Sequence, residues 1–110
     1  MLGAAHACAN PLTTRYDTTH GVAIAVLLRH VVRWNGAVMN GQYRELHADL
    51  PARLDDLAAA AALPRRLREL GVEQKALTEL AEDASKQWTG RFNPRPFDAG
   101  SALEIYQWAY

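Results

Sequence analysis

The stretch HGVAIAVLLRHVVRWN, residues 20–35, places apolar side chains around most of the circumference of a helix. Its side chains repeat at helical intervals on two sides, namely Val22, Val26, Arg29 and Arg33 on one and Ile24, Leu27, Leu28, Val31 and Trp34 on the other. A helix that is apolar nearly all round is buried among other elements. The stretch therefore predicts the central helix of a helical domain, ended by the Asn-Gly pairs at 35–36 and 40–41.

The segment before this helix predicts a first, shorter helix. MLGAAHACA, residues 1–9, has helical composition, but no Ser, Thr, Asp or Asn precedes it to cap its first turn. A proline inside a helix removes one hydrogen bond and clashes with the preceding turn, so we expect a break at Pro11. The poor helix formers of residues 13–19 predict a loop between the two helices.

The remainder of the chain is also helical in pattern. We predict a short helix around Tyr43, Leu46 and Leu50, one opened by Pro51 and broken by Pro64, a compact unit ended by Gly71, one from Leu77 to Trp88, and a last one opened by Asp98 or Ser101. NPRPF, residues 93–97, cannot be helical. No alternating strand pattern is present. Residues 1–110 are therefore expected to form one all-α domain, a bundle of about six helices.

Composition limits the class of function. Twelve basic residues balance twelve acidic ones in 110 residues, so no electrostatic footprint for nucleic acid or an anionic membrane is present. A net charge near zero favours association between protein surfaces, so we expect a homo-oligomer. The single cysteine, Cys8, is typical of a reducing, cytoplasmic setting. The longest apolar runs are far below the roughly 20 residues that a membrane helix needs.

Four histidines are the candidate metal ligands. Nitrogens that bind one ion lie little more than about 4 Å apart. His20 and His30 would be separated by about 15 Å along one helix, which excludes that pair. His47 lies in a polar segment and is interpreted as a solvated surface residue. His6 and His20 lie on different helices and could meet across the loop, as ligands or as structural polar residues.

Two neighbours of His6 have different predicted roles. Cys8 would point about 200° away from His6 around the helix, so we expect a small buried side chain and not a ligand. Asn10 follows His6 by four residues and shares its face if the helix persists. It either terminates the helix before Pro11 or forms a polar wall of the same site. Two imidazoles alone make a weak site, because zinc or iron normally takes at least three protein ligands.

The order of these residues carries a resemblance. His6 is followed fourteen residues later by the His20-Gly21 pair, then by an apolar run with His30, Arg33 and Asn35. This arrangement closely resembles the metal-binding stretch of the iron-containing alcohol dehydrogenase family. The segments LPRRLRELGV, LTELAEDASKQWTGRFNPRPF and ALEIYQWAY resemble the closing segments of such enzymes, so the resemblance covers nearly the whole chain.

The resemblance implies the C-terminal helical lobe of a dehydroquinate synthase-like fold. It also implies an oxidoreductase that passes a hydride between NAD or NADP and a small alcohol or aldehyde, with iron(II) or zinc as a Lewis acid. The family holds its ion with one aspartate and three histidines, of which only the last two map here, onto His6 and His20. The other two ligands and the nucleotide-binding domain are not in these 110 residues. The isolated chain is therefore expected to be inactive.

One position departs from the family pattern. Many members have a histidine, near the nicotinamide, where this chain has Asn10. Asparagine can hydrogen-bond a substrate hydroxyl or the nicotinamide amide but cannot titrate, which puts a histidine proton relay in doubt. Two classes of function therefore stay open: a lobe of a metal- and NAD(P)-dependent alcohol dehydrogenase, or a non-catalytic helical interaction module derived from one.

Overall fold

The computed structural model describes residues 3–110, and these residues form helices and no strands. The α-helices are α1 (Ala4–Tyr16), α2 (His20–Leu46), α3 (Leu50–Ala60), α4 (Leu77–Ser85) and α5 (Ala99–Ala109). Short 3₁₀ segments lie at Leu67–Leu70, Gln74–Ala76 and Trp88–Phe92. The predicted all-α class is confirmed.

Helix α1 continues through Pro11 to Tyr16, so the predicted break at Pro11 is wrong. Proline removes one backbone hydrogen bond, but the turn that follows it buries Leu12 completely. Tertiary burial of a helix face outweighs local propensity. The helix ends instead at Tyr16, where the C-cap residue Asp17 has a left-handed φ of 51°, and the loop to α2 is only residues 17–19.

Helix α2 is one continuous element of 27 residues, so the predicted turns at both Asn-Gly pairs are wrong and the separate short helix around Tyr43 does not exist. Glycine costs about 1 kcal/mol in a helix interior. The buried side chains of Val32, Trp34 and Asn35 keep the helix on the core as far as the first pair. Beyond it, α3 packs back against α2.

The core is formed where α1, α2, α4 and α5 meet. Leu12, Leu27, Leu80 and Tyr106 are fully buried there. By length and apolar composition alone, α2 could also cross a membrane, with a mean hydropathy of 1.3 in its most apolar window. Its contacts with α1, α3 and α5 account for that composition as the centre of the bundle.

Several local predictions are confirmed. Gly71 ends a 3₁₀ segment with a φ of 83°, residues 93–97 are not helical, and the Asp98 carboxylate caps α5 by accepting from Ser101 N over 2.8 Å.

The prediction for Trp88 is wrong. The sequence pattern places it on the inward stripe of a helix, but α4 ends at Ser85 and Trp88 lies 59% exposed in the next 3₁₀ segment.

Candidate metal centre

His6 and His20 come together at one end of the α1–α2 pair. His6 lies in the first turn of α1, and His20 is the first residue of α2. Their ring centroids are 5.2 Å apart, with an angle of 42° between the ring planes. His20 is exposed and His6 is half-buried.

The spacing of the two rings fits a shared ion. An ion held at about 2.0–2.1 Å by one nitrogen of each ring lies about 3 Å from each ring centre, so a tetrahedral angle places the two centres about 5 Å apart. Burial, together with the neighbouring His20, lowers the pKa of His6 below its ordinary value. The neutral imidazole is the form that binds metals.

Two histidines would supply only part of the coordination sphere of a zinc or iron ion. Within residues 3–110, no group of three or more His, Cys, Asp or Glu side chains is arranged to hold an ion. Two neutral imidazoles also bring no negative charge to offset that of a divalent cation. A complete site therefore needs ligands from outside the described residues.

The structure separates the other two histidines from this pair. His30 lies on α2, where its Nε2 atom accepts a hydrogen bond from Arg29 Nε over 3.1 Å. Burial, and then the nearby guanidinium groups of Arg29 and Arg33, lower the pKa of His30 to about 4. His47 is exposed at the end of α2, where its Nδ1 atom accepts from Asp49 N.

Cys8 is buried, as its position on α1 predicted. Its carbonyl oxygen accepts a hydrogen bond from the Tyr106 hydroxyl over 2.6 Å. Burial raises the pKa of the Cys8 thiol, so this side chain stays a neutral part of the core. Cys8 therefore acts as a packing residue of α1.

Asn10 lies one helical turn after His6 and is half-buried. Its Nδ2 atom donates to Oε1 of Gln87 over 3.1 Å. Because α1 continues past this position, Asn10 does not terminate the helix, and that interpretation is wrong. Gln87 was not found from the sequence, since it lies 77 residues away with no motif to mark it.

A cleft of about 380 Å³ opens beside His6. Its walls are mostly apolar side chains of α2, among them Ile24, Leu28 and Val31, and the segment at Asn93 and Pro94 closes one side. The cleft therefore offers apolar surface next to an imidazole.

The structure defines an all-α domain with a pair of neighbouring histidines at one end of α1 and α2, and comparison with known proteins gives its family. The profile described as Fe-containing alcohol dehydrogenase family, C-terminal, matches residues 1–110. The chain belongs to the iron-containing alcohol dehydrogenase family and corresponds to its C-terminal part.

Individual relatives agree with this assignment. The chain is 29% identical to lactaldehyde reductase of Escherichia coli (strain K12), over 99% of this chain and 33% of the relative. It is 31% identical to 1,3-propanediol dehydrogenase of Citrobacter freundii, over 99% of this chain and 32% of the relative. A crystal structure of 1,3-propanediol oxidoreductase superposes with a TM-score of 0.92 at 29% identity, covering 98% of this chain and 32% of that one. The chain thus spans about a third of the length of these relatives.

Proposed function

We propose that this chain is the helical metal-binding lobe of an NAD(P)-dependent alcohol dehydrogenase that interconverts an alcohol with an aldehyde or ketone. The observation that carries the proposal is the 5.2 Å separation of the His6 and His20 rings. The relatives support the reaction class: one is named lactaldehyde reductase and another NADH-dependent butanol dehydrogenase B, of Clostridium acetobutylicum.

His6 and His20 would hold two coordination positions of a divalent ion, iron(II) or else zinc. When bound, the ion supplies a Lewis acid that polarises the substrate oxygen. The two imidazoles come from different helices that pack against each other, so the packing of α1 on α2 holds them in place. The cleft beside His6 places apolar side chains of α2 next to that ring.

Asn10 would contact the substrate hydroxyl or the nicotinamide. Its Nδ2 atom is engaged by Gln87, which leaves Oδ1 as an acceptor for a hydroxyl or an amide N–H. A carboxamide does not titrate near neutral pH. The step that moves a proton to solvent therefore does not run through the side chain at this position.

The rest of the enzyme would come from a preceding nucleotide-binding domain, which would bind most of the NAD or NADP and supply the missing metal ligands. Correct orientation of hydride donor and acceptor can contribute about 7–11 kcal/mol to catalysis. We therefore expect residues 1–110 alone to be inactive toward small alcohols and aldehydes. We expect the assembled protein in the cytoplasm.

A hybrid tests this proposal. Residues 1–110 replace the matching C-terminal third of the Citrobacter freundii 1,3-propanediol dehydrogenase, and aldehyde reduction is followed as loss of NADH or NADPH absorbance, with iron content measured in parallel. His6→Ala and His20→Ala should each remove bound iron and activity, and the exposed His47→Ala should retain both. Full activity and iron content in the double variant would contradict the proposal and favour a non-catalytic helical module.

A further inference from the structure

The first turn of α1 is capped from the far end of the chain. Gly3 occupies the N-cap position and supplies no side-chain hydrogen bond. The free backbone N–H of Ala4 instead donates to Oδ1 of Asn93 over 3.1 Å, although 89 residues separate the two. Ala4 precedes the candidate ligand His6 by two residues. The cap therefore acts on the turn that presents His6.

The Asn93 side chain is itself fixed to α2, the helix that begins with His20. Asn93 Nδ2 donates to Asn35 Oδ1 over 2.7 Å, and Asn35 Nδ2 donates back to Asn93 Oδ1 over 3.2 Å. Asn93 Nδ2 also donates to the Arg95 carbonyl oxygen over 2.8 Å. Asn35 is only 4% exposed, so water competes little for these hydrogen bonds.

Gly3 makes this contact sterically possible. Its φ of 122° lies in a region that L side chains rarely adopt, and a Cβ atom there would lie 3.3 Å from Asn93 Oδ1. The glycine allows the carboxamide to approach the open end of α1. One side chain thus joins the first turn of α1 to the middle of α2.

We propose that Asn93, held by Asn35, is a positioning residue that sets the place of the His6 imidazole relative to His20. The link to metal affinity rests on the proposed function, whereas the link to ring proximity does not. Loss of the Asn93 carboxamide frees the first turn of α1 to fray. The His6 ring then spends less time beside His20, and a shared ion is bound less tightly.

The test measures zinc affinity and ring proximity in the 110-residue chain. Asn93→Ala removes the cap of α1 together with the hydrogen bonds of this carboxamide to Asn35 and Arg95. The control Asp98→Ala removes the side-chain cap of α5. We expect Asn93→Ala to weaken zinc binding about 5- to 10-fold, the range that loss of a cap worth about 1–1.4 kcal/mol gives. Asp98→Ala should change it less than about 2-fold.

Ring proximity is measured without metal. A nuclear Overhauser effect between ring protons of His6 and His20 should be present in the unchanged chain and in Asp98→Ala, and lost or much weakened in Asn93→Ala. Asn93→Asp serves as a milder variant, because its carboxylate still accepts from Ala4 N but loses both N–H donors. It should fall between the unchanged chain and Asn93→Ala in both measurements.

The outcomes separate the two claims. Equal effects of Asn93→Ala and Asp98→Ala on zinc affinity and ring proximity would overturn the positioning role. If His6→Ala leaves zinc binding unchanged, the proposed metal site fails, and the ring-proton measurement alone then decides the role of Asn93. If Asn93→Ala does not fold, the comparison of Asn93→Asp with Asp98→Ala decides it in the same way.

Discussion

Asn10 Nδ2 donates a hydrogen bond to Gln87 Oε1 over 3.1 Å and so joins α1 to the segment between α4 and the last 3₁₀ turn. The bond holds the carboxamide one helical turn from His6 in a single orientation. It also turns Oδ1 away from Gln87. The hydrogen bond to Gln87 therefore occupies the Nδ2 atom of Asn10 and leaves its Oδ1 atom free of that contact.

Replacing Gln87 should affect turnover more than metal content. In the hybrid enzyme, Gln87→Ala should lower kcat about 2- to 10-fold, the range expected when one neutral hydrogen bond is lost. Asn10→Ala should lower kcat at least as much. Iron content should stay near that of the unchanged hybrid in both variants. A parallel loss of iron would show that Asn10 stabilises the metal site and does not act on the substrate.

The isolated chain should keep its helical core but leave apolar surface uncovered. Large apolar side chains lie exposed, including Leu46, Leu57 and the edge-to-face pair Trp88–Phe92, the last two at 59% and 62% exposure. Such surface is normally covered by another domain or a partner. We expect strong helical circular dichroism together with binding of a hydrophobic dye to this surface. Helical circular dichroism without dye binding would show that these residues need no cover.

The pKa of His30 predicts a pH dependence of stability. Its folded pKa of about 4 lies below the ordinary value of 6.5, mainly through burial and then through Arg29 and Arg33, with Asp55 acting in the opposite direction. Between these two values the unfolded chain takes up a proton that the folded chain does not. The free energy of unfolding therefore falls as the pH drops from 6.5 towards 4, by at most about 1.4 kcal/mol per pH unit.

Denaturant titrations at several pH values check this dependence. His30→Gln keeps an acceptor for Arg29 but cannot titrate, so the difference from the unchanged chain should grow as the pH falls through that window. His47→Gln is the matched control, since His47 is exposed. Identical pH profiles for the unchanged chain and His30→Gln would rule out this role for His30.

The hydroxyl of Tyr106 should stabilise the core. It is fully buried and donates to the Cys8 carbonyl over 2.6 Å. Tyr106→Phe removes this hydrogen bond, which we expect to lower the free energy of unfolding by about 0.5–1.5 kcal/mol. Tyr110→Phe, at the half-buried end of the chain, should change it by less than about 0.5 kcal/mol. Chemical denaturation measures both, and equal stabilities would contradict the assignment.

The sequence predicts elements better than it predicts their ends. The pattern of residues 20–35 identified the central helix because apolar side chains around most of a helix are stable only when other elements cover them. The predicted end of this helix was wrong, because the local rule for Asn-Gly pairs takes no account of the burial of Trp34 and Asn35. The predicted break in α1 was wrong for the same reason, because the rule for Pro11 takes no account of the burial of Leu12. Side-chain pairs such as Asn10–Gln87 depend on three-dimensional packing alone, so no local pattern could reveal them.

The histidine pair was found because its spacing and surroundings are distinctive, and its proximity is visible in the fold. The cap on α1 was not found, because the sequence around Gly3 contains no capping side chain and the acceptor, Asn93, lies in a segment marked only by its prolines. A residue whose proposed effect depends on its place in the fold, such as Asn93, cannot be recognised from the amino-acid composition.

The most direct measurement of the central claim is calorimetric titration of the 110-residue chain with zinc. Two neutral imidazoles without a carboxylate should bind one ion with a Kd no tighter than about 1 μM, near −8 kcal/mol. His6→Ala and His20→Ala should each abolish the heat of binding, and His47→Ala should leave it unchanged. Zinc binding that survives replacement of both His6 and His20 would contradict the account.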